Sequence, residues 1–141
     1  MLVLVGCGGS SGPTTSSFKA EFKVQKAKLH TLGDEIGSAV EDAGNLTDAA
    51  LAKQFEGLAS SATSLAGALG QLNPPSKFKD ELASLQSSVT QVAGTLHSIE
   101  AAAAANDAAS AKAGGEAIVA DAQQVKSLDE TLSKKLGLPA E

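Results

Sequence analysis

Aromatic residues are nearly absent from this 141-residue chain, which has no Trp, no Tyr and only four Phe. Sheets favour aromatic and β-branched side chains, so this shortage argues against a sheet-based fold. Hydrophobic residues still make up 43% of the chain, and most of them are Ala and Leu, which are strong helix formers. The composition therefore predicts an all-α protein.

Arginine is absent as well, because all eleven basic residues are lysines, and the formal net charge is −5. Proteins that bind nucleic acid usually present a basic, arginine-rich surface with aromatic residues for stacking. The chain also lacks the bidentate guanidinium group that commonly holds phosphate or carboxylate substrates. We therefore expect no nucleic-acid partner and identify no small-molecule substrate.

The sequence contains one cysteine, Cys7, and no apolar run of about 18 residues. A single cysteine cannot form an internal disulfide, and a membrane-spanning helix requires an apolar run of that length. We therefore predict neither a disulfide nor a transmembrane helix. The cysteine itself needs another explanation.

Residues 4–7, Leu-Val-Gly-Cys, supply that explanation. They resemble a lipobox, the motif at the end of bacterial lipoprotein signal peptides. The resemblance implies cleavage before Cys7 and a diacylglycerol on its thiol, with residues 1–6 as a remnant of the signal peptide. Such peptides carry a basic segment and about 7–15 apolar residues, whereas only residues 2–5 are apolar here. We therefore expect the natural start to lie upstream.

A segment rich in Gly, Ser and Thr follows the cysteine. Segments of this composition behave as flexible coil, so we predict a disordered tether over residues 7–17 and a folded domain over 18–138. An anchor, a tether and a folded domain form the usual layout of a lipoprotein. The resemblance thus implies a location on the extracytoplasmic side of a cell membrane, held by lipid at Cys7.

Within the folded domain, apolar residues recur at alternating spacings of three and four. This spacing places them on one stripe of a helix. Four such stripes occur, over residues 18–43, 51–72, 78–99 and 111–136. Capping residues are expected at Ser16 or Ser17, at Thr47, and at Asn106 or Asp107, with Gly137 ending the last helix.

Four helices of similar length with short links favour an antiparallel up-down-up-down four-helix bundle. A long helical hairpin that dimerises is the alternative. Small residues on the stripes, such as Ala62, Gly115 and Ala122, would let neighbouring helices approach closely. Gly114-Gly115 marks either such a close contact or a kink, and we favour the close contact. We expect a tight core with little cavity.

Charge is distributed unevenly in this topology. The half near the tether holds nine lysines and six acidic residues, a net charge of +3, whereas the distal half holds two lysines and ten acidic residues, a net charge of −8. Helix dipoles explain part of this pattern. We expect the basic end to face an anionic membrane and a protein partner to bind the acidic end. The predicted membrane-facing residues are Lys19, Lys23, Lys26, Lys28, Lys77, Lys79, Lys134 and Lys135.

No catalytic arrangement is evident. His30 and His97 fall on different helices at different heights, so we interpret both as surface or interhelical residues rather than metal ligands. The adjacent carboxylates 34–35, 41–42 and 80–81 do not face one site, because neighbours in a helix point in different directions. We therefore predict no enzymatic activity, no metal site and no cofactor.

The function that these observations favour is a non-enzymatic structural or interaction module of the cell envelope, anchored by lipid. Two alternatives stay open. One is a bundle that binds an apolar ligand or haem, and the other is an oligomerising helical module, which the regular heptads suggest.

Overall fold

The computed structural model describes residues 12–139 and contains four α-helices. They are α1 (Thr15–Asp42), α2 (Asp48–Gln71), α3 (Lys79–Ala104) and α4 (Ala108–Leu136), with short 3-10 turns at Ala43–Asn45 and Ser76–Phe78. Each helix packs against the next, and α1 also packs against α4, so the four helices close a ring. The predicted all-α antiparallel four-helix bundle is confirmed. Cys7 and residues 1–11 lie outside the described residues.

The caps explain where the helices begin and end. Thr47 Oγ1 accepts from the Ala50 N–H at the start of α2, and Asp107 accepts from the Ser110 N–H at the start of α4, both as predicted. At the C-terminus of α4, Gly137 adopts a left-handed conformation with φ of 64°. A side chain is disfavoured in that conformation, so glycine suits this position.

The first helix begins earlier than predicted. Its cap is Thr14, whose Oγ1 accepts from the Ser17 N–H at 3.1 Å, rather than Ser16 or Ser17. Residues 15–17 belong to the predicted tether, but they form the first turn of α1. The Gly/Ser/Thr composition conceals this boundary, because Ser and Thr are common both in flexible linkers and at helix starts.

The predicted stripes form the core. Most stripe residues of α1, α2 and α3 are buried, whereas α4 buries only Ile118, Leu132 and Leu136 from its predicted stripe. Three phenylalanines cluster at the end near residue 12, where the Phe18 ring lies 6.1 Å from Phe22 and 5.7 Å from Phe78, centroid to centroid. The stripe of α4 is therefore weaker than the other three. This helix packs closely on α3 but loosely on α1.

Close packing of α3 and α4 depends on Gly114. A Cβ placed on Gly114 would lie 2.5 Å from Ile99 Cγ1, whereas one on Gly115 would have no atom of another helix within 4 Å. The predicted close contact is therefore present at Gly114, while the stripe residue Gly115 takes no part in it.

Substituting these two glycines separately tests that contact. We expect Gly114→Ala to lower the free energy of unfolding by about 1–3 kcal/mol, because the β-branched Ile99 cannot move away freely. Gly115→Ala should instead raise it by up to about 1 kcal/mol through helix propensity. Urea denaturation followed by circular dichroism measures both. Equal effects of the two substitutions would contradict the close contact.

Candidate functional site

Seven of the eight lysines of the predicted basic end are at least partly exposed. Two of these lysines bind other parts of the bundle. Lys19 Nζ donates to the Gly137 carbonyl at 2.9 Å, and Lys135 pairs with Glu81, which lowers the pKa of the Glu81 carboxyl through the hydrogen bond. Lys23, Lys28, Lys79 and Lys134 are exposed, as is Lys77, whose ammonium lies 4.9 Å from the centre of the Phe78 ring.

Lys26 is the exception and requires a correction. Its side chain is buried, with 5% of the residue exposed, and its Nζ donates to the Pro139 carbonyl at 2.8 Å. In the folded bundle it cannot face a membrane. The sequence spacing indicates this burial. Lys26 lies four residues after Phe22 and three before Leu29, which places it on the buried stripe of α1.

A groove runs between α1 and α4, where the two helices pack loosely. Its volume is about 370 Å³, which falls in the range of small-molecule sites. This finding corrects the expectation of little cavity. The cause is local, because α1 presents Gly33 and Gly37 on this side, and a Cβ placed on either glycine would meet nothing within 4 Å.

The lining of the groove is predominantly aliphatic, with Asp34 and Gln123 as polar residues along its walls. Valines of α3 form the floor, and α1 and α4 form the walls. Val119 on α4 is 44% exposed. The aliphatic lining residues are Leu29, Leu32, Ile36, Val40, Val89, Val92, Val119, Ala122 and Val125.

Polar side chains gather at the end of the groove nearer the basic end of the bundle. His30 Nε2 lies 3.6 Å from Asp129 Oδ2, and Ser133 Oγ donates to Asp129 Oδ1 at 3.4 Å. Asp129 and Ser133 are buried, with 4% and 2% exposed. Lys126 also lines this end and is exposed.

Burial raises the pKa of the Asp129 carboxyl above its usual value, because a charged carboxylate loses hydration there. The charges of Lys26 and His30, and hydrogen bonds from His30 and Ser133, oppose this effect only in part. The protonated form is therefore favoured in the folded state more than in the unfolded chain.

A pH dependence of stability follows from the raised pKa. The native state holds the Asp129 proton more tightly, so the stabilisation from this group is present at low pH and is lost as the pH rises through the native pKa. The quantity to compare is the unfolding free energy of the wild type minus that of Asp129→Asn. We expect this difference to be larger at about pH 4 than at about pH 7. Urea titrations of both proteins give this difference. A difference that falls on acidification would contradict the raised pKa.

The acidic end contains local polar contacts. Asp121 accepts from Gln91 Nε2 and from Thr95 Oγ1, both at 2.6 Å, and so joins α4 to α3. His97 Nδ1 lies 3.0 Å from Glu100 Oε2, one helical turn away. The two histidines are therefore separate, since His30 faces the groove and His97 pairs on the surface of α3.

Comparison with known proteins gives no relative, since no family model, curated protein or solved structure matches the chain. Within residues 12–139, no group of three or more His, Cys, Asp or Glu side chains is arranged to hold a metal ion. None of the four helices in this described range is both long and apolar enough to cross a bilayer.

Proposed function

We propose that this chain is a lipid-anchored, extracytoplasmic module of the cell envelope that acts without enzymatic activity. The observation that carries the proposal is the sequence Leu4-Val5-Gly6-Cys7, followed by a Gly/Ser-rich segment and then a folded bundle. A diacylglycerol on Cys7 supplies two acyl chains, which is enough for stable attachment to a membrane.

Membrane fractionation tests the anchor. The chain is expressed behind a complete lipoprotein signal peptide, beside a Cys7→Ser variant. We expect the wild type in the membrane fraction as a processed chain that resists extraction by high salt, and the variant as an unprocessed chain that keeps its signal peptide. A wild type that is soluble, or a variant that is processed like the wild type, would overturn the anchor.

We further propose that the basic end faces the membrane. Support comes from Lys23, Lys28, Lys77, Lys79 and Lys134, whose side chains are exposed in the half of the bundle where the chain enters α1. Each lysine close to an anionic leaflet contributes about 1 kcal/mol before screening. These lysines would orient the bundle, since the lipid already holds it.

Vesicle binding of the unlipidated Cys7→Ser chain isolates the contribution of the lysines. We expect tighter binding to phosphatidylserine vesicles than to phosphatidylcholine vesicles at low salt. Replacing both Lys23 and Lys79 by Gln should weaken that binding severalfold. The loss of each lysine contributes a factor of up to about five. Lys53→Gln with Lys112→Gln, in the acidic half, is the matched control. Equal binding to both vesicle types would refute the orientation.

A second candidate function is binding of an apolar ligand by the bundle, and the groove between α1 and α4 favours it. The groove has the size and the predominantly apolar lining of a small-molecule site. The two functions are compatible, because an anchored bundle can present such a groove near the membrane surface.

A further inference from the structure

The groove is elongated and lies along the helices. Its α1 wall extends from Leu29 to Val40, a length of about 16 Å at the rise of an α-helix. Gly33 and Gly37 deepen it at its centre. A long, narrow ligand therefore fits this shape better than a compact one.

The chemistry of the lining further restricts the class of ligand that fits the groove. The apolar walls consist of Leu, Ile, Val and Ala side chains, and all four phenylalanines lie elsewhere. Flat aromatic ligands usually stack on aromatic side chains, which this groove does not offer. Aliphatic walls with a volume of about 370 Å³ suit a flexible alkyl chain.

One end of the groove carries the charged groups that would face a head group. Lys126 is exposed at this end and forms no ion pair within residues 12–139. The nearby Asp129 carboxylate already has His30 and Ser133 as partners and the charge of the buried Lys26 close by. Asp34, the other acidic lining residue, is exposed to solvent, so its charge is screened.

We propose that the groove between α1 and α4 binds a single-chain fatty acid, with the alkyl chain against the aliphatic walls and the carboxylate at Lys126. The proposal rests on the second candidate function, apolar ligand binding, and specifies its ligand class. It is independent of the anchor at Cys7, because the groove lies wholly within the bundle.

Titration calorimetry with laurate and with its neutral alcohol, dodecanol, tests both parts of the proposal. Measurements use the full chain carrying Cys7→Ser. Laurate should bind with one site per chain. Lys126→Gln should weaken laurate binding about threefold to fivefold, as expected for an exposed ion pair, and should affect dodecanol binding less, because the alcohol carries no charge. Asp34→Asn should change laurate binding little, because the charge of this exposed carboxylate is screened.

A second set of variants tests the location of the binding site without destabilising the fold. Leucine at Gly33 or Gly37 would fill the groove, and leucine also has the higher helix propensity, so these variants should remain folded. We expect at least about tenfold weaker binding of both probes to Gly33→Leu, because the alkyl chain loses its contacts. Gly67→Leu, at an open position of α2 away from the groove, should bind like the parent chain.

The outcomes distinguish the two levels of the proposal. Binding of dodecanol with no preference for laurate, and no effect of Lys126→Gln, would overturn the fatty acid while leaving an apolar-ligand site. No binding of either probe, or binding that Gly33→Leu does not weaken, would overturn the groove as a ligand site. Native mass spectrometry that finds a co-purified two-chain phospholipid would overturn the single-chain class.

Discussion

Replacing Phe18 by alanine is expected to lower the free energy of unfolding by about 3–5 kcal/mol. The Phe18 side chain is fully buried and contacts the rings of Phe22 and Phe78. The substitution removes this apolar area from the core and leaves a cavity that the surrounding helices can fill only in part. Since small domains are stable by about 5–15 kcal/mol, the loss would be a large fraction of the total.

Urea denaturation followed by circular dichroism measures this effect, with Val24→Ala as the matched control. Val24 is on the same helix but is 56% exposed, so its truncation should change stability by no more than about 0.5 kcal/mol. A Phe18→Ala protein as stable as this control would mean that the aromatic cluster does not close this end of the bundle.

Replacing Lys26 by methionine is the second substitution with a large expected effect, a loss of about 2–4 kcal/mol. The ammonium of Lys26 donates to the Pro139 carbonyl and supplies positive charge close to the buried Asp129. Methionine preserves the apolar packing of the side chain but removes the positive charge near the Asp129 carboxylate. Removing a positive charge that compensates a buried carboxylate is costly for this reason.

Two further variants separate the buried charge from other causes. Lys23→Met, at an exposed position of the same helix, should change stability by about 0.5 kcal/mol or less. Adding Asp129→Asn to Lys26→Met should recover part of the loss, because the uncompensated carboxylate is gone. Additive effects of the Lys26 and Asp129 substitutions would contradict the electrostatic coupling between these residues.

The sequence is sufficient to predict the fold because the buried stripes are regular. Spacings of three and four mark the helix faces, and Thr47, Asp107 and Gly137 mark boundaries through local hydrogen bonding or backbone conformation. These signals depend on residues close together in the chain. The start of α1 is harder to predict, because Thr14, Ser16 and Ser17 are all suitable caps.

The groove and its polar end are not predictable in the same way, because they depend on how two distant helices pack. The sequence shows that Gly33 and Gly37 are one helical turn apart, but not that α4 lies far enough away to leave space there. The prediction for Lys26 was wrong for a related reason. Its charge suggested a surface position, whereas its place on the stripe, together with the Pro139 carbonyl and Asp129, makes burial feasible.

The intact mass of the N-terminal peptide is the most direct test of the central claim, which is a lipid anchor at Cys7. The chain is expressed in a bacterial host behind a complete lipoprotein signal peptide, purified from membranes, and compared with Cys7→Ser. We predict a mature chain that begins at Cys7 and carries the mass of a diacylglyceryl group, with no such mass on the variant. An unmodified Cys7 in a processed and exported chain would contradict the claim.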